Sequence, residues 1–509
     1  MPRPDFAPAP LRFFSENPVE VLQLLRAGWL EALEPGGDPV TEAHVLYALQ
    51  SGLLSECADA FPDPRCFPEI PVRVLLTACV AGAFLGEYAL SQSGNALTSA
   101  ALLAELGLNG EALRPGAGLS RRGTAETAVF HPDTLRKLLG RLAQAEREAG
   151  RPVGESLLCW WNETVAPAFL RRAGGGVGVW ILDATKVLVN VDNPRYEASD
   201  TSKDEAGKRI RGYKLGLLST LVDVGRLIVG VNLGTVRVGD PTLTRPLVER
   251  SAPPAAPTGS TPLTRGDTLL EDRGLIDGAI ISGLKRDQGV DVVFPLKRNM
   301  LAYRFAVGKA NRNPHRWKPH PSRKRQEYQG VPQIGTLWEE CQVPLNGVVV
   351  RECKPQHPEA DAQGYCYWVF ATTNLDRSAK GTLQEYGVRC ECEEDHRQVK
   401  GPDWELDEFH STAYIEIVFH IFMVLFAYNL CQLFGLTDRG QGFAGQTKKG
   451  RQREVRRAGE PYFVVIAPPY YALVPVLEVV AALLEVEGEA KERLQAGIRR
   501  QREGRQASG

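Results

Sequence analysis

No lysine occurs in the first 110 residues, which hold thirteen Asp or Glu against five Arg. Charge is thus unevenly spread along the chain, and this stretch is acidic. The ten cysteines are scattered singly, with no Cys-x-x-Cys pair. That excludes a disulfide framework and fits a reducing cytoplasm. The leading MPRPDFAPAPLRFF has no basic region followed by an apolar core, so no signal peptide is expected. The most apolar long segment, Ala413 to Leu436, carries Glu416, His420, Asn429 and Gln432, which predicts a buried helix and no membrane span. No internal repeat is visible.

The 509 residues exceed one ordinary core and predict several domains. The formal net charge of -1 conceals segregation. Residues 294 to 330 hold ten Lys or Arg against the single Glu327, and residues 439 to 457 hold seven against Glu454. Such basic patches on a neutral chain are footprints for a polyanion, whereas one patch alone would read as a solvated loop.

Residues 1–173 read mainly as helices, at Val19–Leu33, Glu42–Ser51, Val72–Leu85, Ala96–Leu106, Pro132–Glu148 and Gly154–Leu170, because apolar residues recur at spacings of three and four. This α-helical N-terminal domain suits DNA-end binding or dimerisation. The pair spanning Val72 to Leu106 could form a helix-turn-helix but is short of basic residues. The glycine run Gly174 to Gly178 then marks a boundary. From there to residue 296 the texture is α/β. Two β-branched runs, "GVWILDATKVLVNV" and "YKLGLLSTLVDVGRLIVGVNLG", predict a three-stranded meander. Helices at Leu243–Arg250 and Ile276–Lys285 should alternate with strands in "DTLLEDRG" and "VDVVFPL". Alternation stops over residues 297–375, a basic segment with strand-like runs at "GTLWEECQV", "NGVVVREC" and "YCYWVFATTNL". These predict an inserted, mainly β subdomain. Residues 376–436 resume the core with a polar helix and the apolar one, and residues 437–509 give a basic loop and a helical C-terminal region.

The polar helix carries the most informative spacing. Tyr386, Arg389, Glu393 and Lys400 lie at offsets of zero, three, seven and fourteen, and at about 100° per residue they fall within a wedge of roughly 60°. Arg397 falls on the same face. A hydroxyl, a guanidinium, a carboxylate and an ammonium make a poor core stripe, since buried charges must be paired; the face reads either as a site or as a solvated surface laced with ion pairs. Cys390, Cys392 and His396 do not form a zinc site, because on a helix the two thiols point about 160° apart. Upstream, Asp183 closes the apolar part of one strand and Asp272 ends another. Charges at strand ends need partners, and strand termini in α/β folds are where ligands sit. Three carboxylates from Asp183, Asp272 and Glu393 suit two divalent cations such as Mg2+ or Mn2+.

The pattern Tyr386-x2-Arg389-x3-Glu393-x6-Lys400 resembles the Tyr-Arg-Glu-Lys signature of the insertion-sequence DDE transposases, in the large group numbered four. "ILDATKV" and "LLEDRGLIDG" look like the blocks that carry that family's aspartates, and "VFPLKRN" resembles the sequence that follows the second. The resemblance spans about residues 177 to 435. It implies an RNase H-like mixed-sheet core interrupted by a β insertion, in which Asp183, Asp272 and Glu393 hold two metal ions. It further implies that Tyr386, Arg389 and Lys400 bind phosphates at the transposon end. The expected reaction is hydrolytic nicking at terminal inverted repeats, followed by attack of the freed 3′-OH on the other strand or on target DNA, with a homodimer in the synaptic complex in the bacterial cytoplasm or nucleoid. In the basic insertion Lys297, Arg298 and Arg397 on the helix are expected on DNA, and Trp317 is expected to stack on a flipped base. Cys390 and Cys392 depart from the family, which more often has an aromatic and an aliphatic residue there. A purely hydrolytic nuclease and a domesticated DNA-binding protein without turnover are the competing readings.

Overall fold

The computed structural model describes residues 13–506, apart from 16, 36–37, 67, 69, 92, 98, 108–129, 132, 205, 224, 250–261, 402–403, 439, 442–449, 451–461 and 468. Within the helix that ends at Lys400, the side chains of residues 390–396 and 398 also lie outside the description, and so does most of the basic run 439–457. The chain divides into two compact units, one of residues 161–402 and one of residues 1–160 with 403–509.

Residues 161–402 are built on one ten-stranded mixed sheet. Gly174, Gly175 and Gly178 take φ of 76°, 91° and 77°, a left-handed region that costs glycine nothing. This turn delivers the chain into β1 (Val179–Val189). β2 (Asp200–Lys203), β3 (Arg209–Val222) and β4 (Gly225–Thr235) follow as antiparallel neighbours. After helix α1 (Asp240–Val248), β5 (Thr268–Glu271) returns to pair in parallel with β1, and β6 (Asp291–Pro295), reached through helix α2 (Gly278–Gly283), pairs in parallel with β5. β5 and β6 are buried at every position, as central parallel strands covered on both faces are.

The insertion continues this sheet. Helix α3 (Leu301–Asn311) leads to β7 (Lys318–Pro319), β8 (Gln326–Val331), β9 (Asn346–Cys353) and β10 (Tyr365–Thr372). β10 pairs antiparallel with β6, setting Phe370 against Pro295 and Thr372 against Val293. The order across the sheet is therefore β2-β3-β1-β5-β6-β10-β9-β8-β7, with β4 on β3. Two strand and helix expectations change here. "GTLWEECQV" forms only a short turn at Gly335–Leu337 and no strand. Residues 301–311, in the segment expected to be mainly β, form helix α3, because Ala302, Ala306 and Ala310 recur every four residues and bury one face.

Helix α4 (Ala379–Lys400) lies across one face of the sheet. Its first turns pack Leu383 and Ala379 against Tyr328, Val348 and Val350 of β8 and β9. Farther on, Tyr386 packs against Ile181, Leu270 and Val293 of β1, β5 and β6. The helix thus runs from the insertion strands to β1.

The other unit is mainly helical, with Val72–Leu85 and Asp133–Glu148 close to their sequence-derived bounds, and it takes in the apolar helix Tyr414–Phe434 that the sequence placed in the core. It also holds a four-stranded sheet that periodicity had not indicated, formed by Phe13–Phe14, Ala32–Pro35, Tyr462–Ala467 and Tyr470–Pro475. The helix expected to run to Leu33 stops at Arg26 for this reason, and Ala32–Pro35 pairs with Tyr462–Ala467. The apolar helix Tyr414–Phe434 meets the length and composition of a membrane span, yet its most apolar window is 94% buried inside the protein.

Candidate active site

The register of β1 and β5 builds the site. Their parallel ladder ends on the pair Leu182 and Glu271, so Asp183 and Asp272 are the next residues along each strand. Adjacent strands lie about 4.8 Å apart, which brings the two carboxylates side by side. Alternation decides which way they point. Ile181 and Leu270 pack against Tyr386 of α4, and residues two further along a strand share that face. Asp183 and Asp272 therefore face α4. Glu271, between Leu270 and Asp272 on β5 and paired with Leu182, faces the opposite side. Burial, with Asp277 nearby, pushes its carboxyl up to about 8, so it adds no charge beneath the site at neutral pH.

Three residues beyond Tyr386 on α4, Arg389 reaches both aspartates. One guanidinium nitrogen, Nη2, lies 3.4 Å from Asp272 Oδ1 and 3.7 Å from Asp183 Oδ2. Arg389 and Asp183 are buried, while the Asp272 side chain is 42% exposed, which leaves the pair open to solvent on one side. Asp183 Oδ1 accepts a hydrogen bond of 2.8 Å from the Ala184 amide. Two buried or half-buried carboxylates this close repel one another unless a cation lies between them, and the guanidinium supplies that charge.

Lys400 completes the register. Its Nζ donates to Thr185 Oγ1 and to the Lys186 carbonyl. Ile181, Asp183 and Thr185, at alternate positions of β1, thus meet Tyr386, Arg389 and Lys400 of α4 in the same order. Thr185 escaped the sequence reading, although the period of two from Asp183 through "LDATKV" points to it. Tyr386 is buried, with its ring 4.7 Å from that of Phe370, so it is a packing residue at least as much as a polar one. Glu393 lies on α4, four residues past Arg389 and so about one turn along; its side chain is outside the described residues, as are those of Cys390, Cys392 and His396. Arg397 is exposed. Among the described residues no group of three or more His, Cys, Asp or Glu gathers as a metal cluster.

The insertion residues are placed elsewhere on the sheet. Lys297 follows β6, and its carbonyl accepts from the Met300 amide. Arg298 pairs with Glu359 at 2.8 Å. Trp317 carries the Arg351 guanidinium 4.1 Å above its ring, and Arg351 also lies 4.4 Å over Tyr365 and pairs with Glu327 at 2.7 Å. Arg351, sandwiched between two rings, was not singled out from the sequence; "VVVREC" offers no signal beyond an Arg-Glu pair at the end of an apolar strand.

The donor set suits hard cations. Adjacent carboxylates with one solvent-facing side match the oxygen ligation of magnesium, which takes one or two protein carboxylates and fills out with other oxygens. No curated protein matches the chain. Residues 177–430 match the family described as the transposase DDE domain, a match that covers β1 through α4 and most of the helix Tyr414–Phe434. With its mixed sheet and paired aspartates under a polar helix, this stretch of the chain is a DDE transposase domain.

Proposed function

We propose that the chain is an insertion-sequence transposase of the group numbered four, which cleaves the terminal inverted repeats of its element and joins the freed ends to target DNA by a cut-and-paste route. The observation that carries this reading is the pairing of Asp183 and Asp272 at the ends of adjacent parallel strands, both facing Arg389. Asp183, Asp272 and Glu393 are the residues that would hold two Mg2+ or Mn2+ ions. Such ions, when bound, stabilise the attacking and leaving oxygens of an in-line displacement at phosphorus.

The remaining roles fall to the chain itself. Arg389 holds the two aspartates together and, being a planar fork, also suits a phosphate oxygen. Lys400 is oriented by Thr185 and the Lys186 carbonyl so that its charge lies beside β1. Arg397 is exposed on the same helix and adds a backbone contact. Tyr386 packs the helix onto the sheet, and its hydroxyl is assigned to a phosphate. Lys297, Arg298 and Trp317 extend the DNA path along the insertion, with Trp317 as a platform for a base. The partner is double-stranded DNA, and two element ends imply a homodimer when synapsed.

A duplex carrying the inverted repeat that flanks the gene, incubated with the protein and Mg2+ or Mn2+, tests this. The wild type should nick the repeat and then transfer strands, whereas Asp183→Ala should do neither while binding the duplex normally. Equal cleavage by both proteins would sink the assignment, and cleavage without strand transfer would favour a hydrolytic nuclease.

A further inference from the structure

The sheet continues past the strand that carries Asp183. β1 stops at Val189, which pairs with Arg211, but β3 runs on beside β2 as a two-stranded ribbon in which Lys203 stands opposite Arg209. The register is unbroken from the pair of Asp183 with Leu217 to the pair of Lys203 with Arg209. Residues directly opposite one another in a ladder share a face, and so do alternate residues along a strand. Arg211, Arg209 and Lys203 therefore lie on the face of Asp183 and Thr185. Arg209 is eight positions from Leu217, the partner of Asp183, which at about 3.3 Å per residue is about 26 Å.

Lys203 and Arg209 are exposed like charges in direct cross-strand opposition, an arrangement that destabilises a ladder. Among the described residues neither takes a carboxylate partner, although acids stand close by in sequence. Asp200 is held by Arg237 at 3.3 Å, and Asp204 accepts from the Lys208 amide at 2.8 Å; Glu205 lies outside the described residues. Arg211 is fixed by neutral oxygens, the Val191 carbonyl at 3.3 Å and Ser199 Oγ at 3.1 Å. Its charge therefore stays uncompensated as well. Three cations on one face, two of them repelling each other, complement a polyanion. They also continue a line, because Arg389 stands at Asp183 and Lys400 at Thr185, and the ribbon cations come next along the same direction.

We propose that the β2–β3 ribbon grips the phosphate backbone of duplex DNA about eight base pairs from the scissile phosphate, through Lys203 and Arg209 with Arg211 behind them. The spacing is the 26 Å reach divided by about 3.4 Å per phosphate along one strand. Bound phosphate relieves the repulsion between the two opposed cations, which nothing in the free protein does among the described residues. Because phosphates carry no sequence information, the contact depends on how far the duplex extends and not on its bases there. The inference rests on the transposase reading, which sets the scissile phosphate at the paired aspartates, but its test reads binding and needs no cleavage.

Labelled duplexes centred on the junction of the inverted repeat and its flank, with arms of about 16 base pairs, or with either arm cut to about four and so too short for the ribbon, are titrated with the full chain in EDTA at several salt concentrations. Lys203→Gln with Arg209→Gln should lower the salt slope by about 1.8 on the long duplex, at about 0.9 per contact. That difference should vanish on one of the two shortened duplexes and persist on the other. Lys203→Glu sets an acid opposite Arg209, so it should raise the urea midpoint while weakening binding of the long duplex, and it carries the test if the double variant does not fold. A wild-type slope in the double variant on every duplex, or a difference that persists on both shortened ones, would overturn the proposal alone. A fall in both the urea midpoint and the affinity of Lys203→Glu would mark a merely structural role and overturn it too. Failure of the wild type to bind any of the duplexes would overturn it together with the transposase reading.

Discussion

Arg389 is the residue on which the paired aspartates depend. Its guanidinium lies between Asp183 and Asp272, and removing one partner of a buried ion pair costs about 3–5 kcal/mol because the other charge is left uncompensated. In EDTA, Arg389→Ala should therefore lower the unfolding free energy in urea by about 3 kcal/mol. Adding Asp183→Asn to that variant should recover part of the loss. Full additivity of the two changes would mean that the pair does not interact in the folded protein. His420 makes a second prediction at this scale. Its folded pKa, lowered by burial to about 4, lies below the ordinary histidine value. Between these values the unfolded chain binds the proton and the folded one does not, so stability is present above about pH 6.5 and is lost as pH falls. From pH 7.5 to pH 5 this group should cost roughly 2 kcal/mol. His420→Gln should flatten the urea midpoint against pH over that window by a corresponding amount, and parallel curves for the two proteins would refute the assignment.

At the scale of elements, α4 is held by its apolar contacts and aimed by its polar ones. Tyr386 packs with Ile181, Leu270 and Val293, and with the Phe370 ring. Tyr386→Phe keeps that packing, so it should cost under about 1 kcal/mol of stability, and any larger loss of DNA-end affinity would then belong to the hydroxyl. Tyr386→Ala opens a cavity and should cost about 3 kcal/mol. Comparing the two by urea unfolding and by end binding separates packing from contact. The same helix shows how much was legible beforehand. The wedge of Tyr386, Arg389 and Lys400 was readable because helical spacing fixes a face. Its partners were readable in part, since Asp183 and Asp272 sit as charges at the ends of apolar runs. What single-sequence reading could not supply was register. Only the pairing of Leu182 with Glu271 puts the two aspartates abreast, and only then does Thr185 fall opposite Lys400. The sheet strands of residues 462–475 escaped for another reason. Their partner Ala32–Pro35 is distant in sequence, and a short apolar run far from its pairing strand carries no local signal that distinguishes strand from helix.

Across the whole molecule, a formal net charge of -1 says little about DNA affinity because the charges are segregated. The insertion presents Arg323, Lys324 and Arg325 as consecutive exposed cations just before β8, on the same sheet as the paired aspartates. Each phosphate contact releases condensed counterions, so the logarithm of affinity falls with the logarithm of salt by about 0.9 per contact for duplex DNA. If this stretch lies along the DNA path, replacing all three by Gln should reduce the salt slope by up to about 2.7. Affinity should weaken for repeat and unrelated duplexes alike, since phosphates carry no sequence information. Because the three side chains are exposed, the urea midpoint should stay within the small range expected of surface changes. Fluorescence anisotropy with a labelled duplex from 50 to 300 mM salt measures the slope directly. A slope equal to that of the wild type would place the DNA on another face of the sheet, and Trp317 and Arg298 would then have to be reassigned with it.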